Sequence, residues 1–110
     1  MRKAIILYKN QEAGMLTQHD NGSFTFKYDN SWISDGSKPA ISLTLPKSQQ
    51  EYHSDFLFPF FYNMLPEGSN KQIACKLNQL DLSDYFGLLL TTAKHDTIGA
   101  ITVRAIDNGL

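Results

Sequence analysis

The sequence predicts an α+β fold, a partly curled antiparallel β-sheet with about three helices packed against one face. Three observations predict it. Apolar and polar residues alternate in short runs near both ends of the chain, with the period of two that marks a half-buried strand. Residues 57–90 instead place apolar side chains at helical spacing. Asn21-Gly22 stands between two of the strand-like runs, where it is a hairpin signal.

Residues 4–8 form an Ile-rich run of strand length. Residues 9–12 read as a turn and residues 13–18 as the returning strand, with Gly14 marking a bulge. Asp20-Asn21-Gly22 predicts a type I′ turn, because Asn-Gly supplies two positive-φ positions. Phe24, Phe26 and Tyr28 alternate with Thr25 and Lys27 as the next strand. Residues 29–39 are polar and turn-rich and contain the only tryptophan, Trp32. Ile41, Leu43 and Leu45 predict a further strand that Pro46 closes, and residues 47–54 a polar connection.

Leu57, Phe60, Phe61, Met64 and Leu65 then fall at i, i+3, i+4, i+7 and i+8, one face of a helix. Pro59 is tolerated in a first turn, and Pro66 and Gly68 end the helix. Ser69 and Gln72 have capping-box spacing ahead of an apolar stripe of Ile73, Leu77 and Leu80. Asp81 or Ser83 is suited to cap a third helix with its apolar body at residues 85–90. Ile101, Val103 and Ala105 alternate with Thr102 and Arg104 as the closing strand.

The 110 residues fit a single domain, residues 1–110, able to bury about two-thirds of its unfolded surface. Ten Lys and Arg against eleven Asp and Glu, interspersed, leave no basic stripe for a phosphate backbone. Nucleic acid is therefore not an expected direct partner. One cysteine, Cys75, permits no internal disulfide and suits a reducing compartment. The apolar run at residues 4–8 is too short for a signal peptide or a membrane span, so a cytoplasmic protein is expected.

The residues that carry chemistry do not converge in the sequence. His19, His53 and His95 are scattered through polar or turn segments and read as surface groups. Cys75 sits within a helical pattern and reads as a small core residue. No Cys and His have zinc spacing, and no G-x-G or Gly-Lys-Ser/Thr phosphate loop occurs. No metal, cofactor or catalytic residue is expected. Leu65, Pro66, Glu67, Gly68 and Ser69 form the one corner the core does not account for. A Glu between Pro and Gly also suits a loop-fixing acceptor of backbone N–H bonds.

At residues 60–68, FFYNMLPEG, the sequence resembles the N-terminal subdomain of HipA-type kinases, serine/threonine kinase toxins of bacterial toxin–antitoxin systems. The resemblance runs through most of the chain. Gly14 and Leu16 match the family's G-x-L, Phe26 and Tyr28 its F-x-Y, and residues 41–46 (ISLTLP) its L-S-L-S-L-P segment. Residues 96–101 (DTIGAI) match its closing D-x-x-G-A-hydrophobic motif. Two positions depart: Lys94 stands where the family usually has Gly, and Ser69 where some relatives carry a bulky residue.

The nucleotide loop, catalytic Asp and metal-binding Asp of a kinase have no counterpart in these residues. The resemblance therefore implies the split arrangement, a HipS-type small subunit encoded apart from a shortened HipA-like kinase, HipT. It implies an antitoxin that binds and neutralises that kinase, in an operon with a helix-turn-helix HipB-like partner. The same docking would also suit a structural or activating subunit. An independent small enzyme would need a pocket with convergent polar groups. Leu65, Pro66, Glu67, Gly68 and Ser69 are the expected partner contact.

Overall fold

The alternating runs at both ends of the chain assemble into one five-stranded sheet. The computed structural model describes residues 1–65, 68–77, 79, 84–92 and 100–106. The strands are β1 (Arg2–Tyr8), β2 (Gln11–Gln18), β3 (Phe24–Tyr28), β4 (Glu51–Ser54) and β5 (Ile101–Ala105). Their order is β4-β3-β2-β1-β5, and every neighbouring pair is antiparallel. Because side chains alternate across a strand, Ala4, Ile6, Leu16, Phe24, Phe26, Tyr28, Ile101 and Val103 share the buried face. Lys27, Glu51, His53 and Arg104 are exposed on the other.

The described helices are α1 (Asn30–Ser34), α2 (Pro59–Tyr62), α3 (Gly68–Leu77) and α4 (Tyr85–Thr92). The Phe61 ring of α2 lies 5.9 Å from that of Phe26, and the Phe86 ring of α4 lies 6.1 Å from that of Phe24. These contacts seat α2 and α4 on the apolar face of the sheet, and α4 also packs on β5 and α3. The α+β class and antiparallel sheet are as the sequence predicts.

Several local expectations change. The strand expected at residues 41–45 is a turn: Ser42 Oγ accepts the Thr44 N–H at 3.2 Å, and the Ser42 carbonyl accepts that of Leu45 at 3.1 Å. Ile41 and Leu45 are buried, but Leu43 is fully exposed. The buried Tyr28 hydroxyl holds this turn, donating to the Leu45 carbonyl and accepting the Ile41 N–H at 3.0 Å. Burial raises its pKa above the ordinary tyrosine value. The fourth partner in the sheet is instead the polar stretch Glu51–Ser54, which pairs with β3.

The type I′ pattern expected at Asn21-Gly22 occurs instead at the first hairpin. Lys9 and Asn10 both have positive φ, the pattern of a two-residue type I′ turn, and link β1 directly to β2. Asp20, Asn21 and Gly22 form a three-residue loop closed by the His19 N–H to Ser23 carbonyl bond of 2.8 Å. Gly22 alone of the three has positive φ, as in a loop that ends on a left-handed glycine. The bulge is one residue from Gly14: Ile6 faces Gly14 and Leu7 faces Glu12, which leaves Ala13 as the extra residue.

The helix predicted from residue 57 is one turn long and ends at Tyr62. Its apolar residues still face inward, with Leu57, Phe61 and Leu65 buried and Phe60 and Met64 packed against them. Bonds from Met64 to Phe61 and from Leu65 to Tyr62, both 3.1 Å, tighten the exit. The stretch expected to be loop after Asp29 contains α1, and the buried Trp32 donates its indole N–H to the Pro39 carbonyl at 2.8 Å. Among the described residues no helix is long and apolar enough to cross a membrane.

Candidate functional site

The expected contact corner follows α2. Leu65 is buried in the core, so it anchors the corner from inside. Pro66 and Glu67 lie outside the described residues. Gly68 and Ser69 are the first two residues of α3, so Ser69 stands inside the helix and not at a cap. Leu80, Asp81, Ser83, Lys94, His95, Asp96, Thr97 and Gly99 also lie outside the described residues.

The apolar stripe expected of α3 faces outward, while Cys75 is the small core residue that the sequence predicts. Cys75 is buried, while Ile73 and Leu77 are 56% and 78% exposed. Spacing alone defines a stripe but not which way it points. Another apolar feature lies between the β2–β3 loop and α4, a cleft of about 330 Å³. Phe24, Leu57 and Phe86 line it and are buried; Phe56 and Tyr62 line it and are 80% and 47% exposed. Tyr62 is fixed edge-to-face against Tyr85, with ring centres 5.4 Å apart. Gln18 and Asp55 are its polar members. Sequence reasoning missed Phe56. The one signal it carries, an aromatic residue outside the helical period that Leu57 begins, is shared by the buried Phe58.

A polar chain crosses the other face of the sheet. His19 Nε2 lies 2.7 Å from Thr25 Oγ1, which lies 2.9 Å from His53 Nδ1. His53 Nε2 lies 3.0 Å from Glu51 Oε2. With neutral rings, Glu51 accepts from His53 Nε2, so His53 Nδ1 accepts from the Thr25 hydroxyl and His19 donates to its oxygen. The chain thus ties β4 to β3 and to the loop before it. His19 and His53, scattered in the sequence, are brought together by strand pairing. Among the described residues no three of His, Cys, Asp or Glu come together as metal ligands.

Electrostatics beside the cleft centre on Asp84, just before α4. Its carboxylate accepts the Gly87 N–H at 3.1 Å, which caps the helix. It also accepts from the Arg2 guanidinium at 2.6 and 3.2 Å. The same guanidinium lies 5.1 Å over the Phe86 ring and donates to Gln18 Oε1 at 2.9 and 2.5 Å. The Arg2 bond, more than any other influence, holds the Asp84 carboxyl below the usual carboxylate range. A lowered folded pKa stabilises the protein above the unfolded value of about 3.9 and is lost as pH falls through the folded pKa. Asp84→Asn keeps a capping oxygen but loses the charge. It is expected to be about 1 kcal/mol less stable at pH 6 in urea titration, with the gap closing below about pH 4. A gap independent of pH would show that the ion pair contributes nothing.

Comparison with known proteins places the chain. The family model described as the HipA N-terminal domain matches residues 4–104. An uncharacterized protein of Haemophilus influenzae (strain ATCC 51907 / DSM 11121 / KW20 / Rd) is 33% identical over 89 residues, 81% of this chain and 79% of that protein. The putative kinase Y4mE of Sinorhizobium fredii (strain NBRC 101917 / NGR234) is 29% identical over 76 residues. That match takes in 69% of this chain but only 18% of the kinase. Among solved structures, the N-terminal domain of HipA toxin superposes with a TM-score of 0.73 at 28% identity, covering 98% of this chain and 95% of that one. With the family model spanning nearly its whole length, the chain belongs to the HipA N-terminal domain family.

Proposed function

We propose that this chain is a bacterial, cytoplasmic antitoxin that docks on a separately encoded HipA-like serine/threonine kinase, HipT, and neutralises it. It works as a non-enzymatic binding module, in a larger complex that includes a helix-turn-helix HipB-like protein. The observation that carries the reading is the pair of matches at different scales. The chain is similar to the HipA N-terminal domain along its length and to 79% of the Haemophilus influenzae protein, yet to only 18% of a putative kinase. A domain that is one part of a longer kinase in one protein has a ready docking place on a kinase that lacks it. Neutralisation follows if the docked domain favours a non-productive arrangement of the kinase's small lobe.

The corner at residues 65–69 is proposed as a contact, with buried Leu65 as its anchor. Co-expression with a HipA-like kinase chain tests the function. Restored growth together with a co-purified complex is the expected result. A complex without rescue would mean a structural or activating subunit, and a phosphorylation assay with and without the chain reads the sign directly. The absence of both complex and rescue would overturn the docking itself. A Glu67→Ala, Gly68→Ala double variant is expected to lose binding, and unchanged affinity would remove the corner from the interface.

A further inference from the structure

We propose that the cleft beside Phe56 and Tyr62 receives an apolar side chain of the kinase partner, from a segment carrying a basic residue next to that side chain. The proposal deepens the docking reading above and rests on it.

The cleft has the composition of an interface centre. Phe24, Leu57 and Phe86 are buried by the domain's own packing, so the lining is rigid before any partner arrives. Its volume of about 330 Å³ suits one large side chain or two small ones. Phe56 leaves 80% of its surface in water, so a partner that covers the ring gains apolar burial there. Its position is set locally, since its N–H donates to Ser54 Oγ at 3.2 Å. Tyr62 is held against Tyr85. Aromatic side chains of this kind, held in place around an apolar pocket, dominate interface energetics.

The polar members specify the occupant. Asp20, Asp84 and Glu12 pair with the N-terminus, Arg2 and Arg104 respectively, and Glu51 accepts from the His53 ring. Asp55, like Asp29 and Asp35, has no salt-bridge partner among the described residues, and of the three only Asp55 lines the cleft. A Lys or Arg beside the apolar anchor would supply one. Gln18 Oε1 is already occupied by Arg2, which leaves its amide N–H groups to donate to a backbone carbonyl of the same segment. Tyr62 also closes α2, three residues before the buried Leu65.

The test is a binding titration of the purified HipA-like kinase chain with Phe56→Ala, Asp55→Lys and, as control, Lys27→Ala on the opposite sheet face. Phe56→Ala is expected to weaken binding about 30-fold or more, the scale of a hot-spot truncation. Asp55→Lys is expected to weaken it about tenfold, with a shallower salt dependence. Lys27→Ala should bind as the unaltered chain does. Thermal melts of each free variant should match the unaltered chain, because Phe56 and Asp55 are exposed. If the unaltered chain binds and both cleft variants stay within twofold of it, the cleft is not the interface and the docking reading stands. If the unaltered chain does not bind, the docking reading falls and takes the cleft proposal with it.

Discussion

Phe61→Ala is expected to lower the free energy of unfolding by about 3–5 kcal/mol, the cost of emptying a large aromatic site in a close-packed core. Phe61 is fully buried. Its ring lies 5.2, 5.9 and 6.3 Å from those of Phe60, Phe26 and Phe58. α2 has only four residues, too few for its own hydrogen bonds to hold a helix in water. Its position therefore depends on this packing, and the cavity cannot close without moving the short helix that carries Tyr62. Against a total stability of about 5–15 kcal/mol for such a domain, the variant should melt roughly 15 °C lower. Phe61→Leu, which keeps most of the volume, should cost about 1–2 kcal/mol. A loss below about 1 kcal/mol for the alanine variant, measured by urea unfolding, would show that α2 is held in some other way.

Gly14→Ala is expected to cost about 3 kcal/mol, at the upper end of what overpacking produces. A Cβ built at Gly14 lies 2.5 Å from the Lys27 carbonyl oxygen and 2.9 Å from the Phe26 ring. The first is backbone of β3, hydrogen-bonded in register with β2, so relief requires separating two central strands. Gly14 has an ordinary negative φ, and the penalty is steric rather than conformational. Because Phe26 belongs to the face that receives Phe61, the same displacement should loosen α2. Urea unfolding measures the loss, and faster hydrogen exchange along β3 should accompany it. An alanine variant as stable as the original would mean that β2 and β3 do not approach so closely.

Much of the fold is legible in the sequence because a strand with one buried face must alternate. Ala4, Ile6, Phe24, Phe26, Tyr28, Ile101 and Val103 declare their strands without any knowledge of partners. Where the pattern misleads, local polar groups override it. Ile41, Leu43 and Leu45 alternate, but Ser42 captures the following N–H groups, and Tyr28 draws Ile41 and Leu45 to one side of a turn. The real fourth strand, Glu51–Ser54, carries one half-buried aromatic, Tyr52, and is recruited by the free edge of β3. Polar edge strands have little apolar pattern to read.

The candidate site was legible in smaller part. The corner at residues 65–69 stands out by its Pro and Gly, and the family motifs lie along the chain. Nothing local, however, distinguishes the exposed Phe56 from the buried Leu57 and Phe58 beside it. Nor does spacing reveal that Ile73 and Leu77 face outward while Cys75 faces inward.

By itself, then, the sequence determined the α+β class, most of the strands, the aromatic core and the likeness to the HipA N-terminal domain. These follow from periodicity and composition, which are properties of neighbouring residues. Only the tertiary structure decided which apolar residues stay in water, why position 14 must be glycine, and that Arg2 meets Asp84 across 82 positions of chain. Those outcomes depend on which strand edges pair and which helix faces meet, and they arise between segments that are far apart in the sequence.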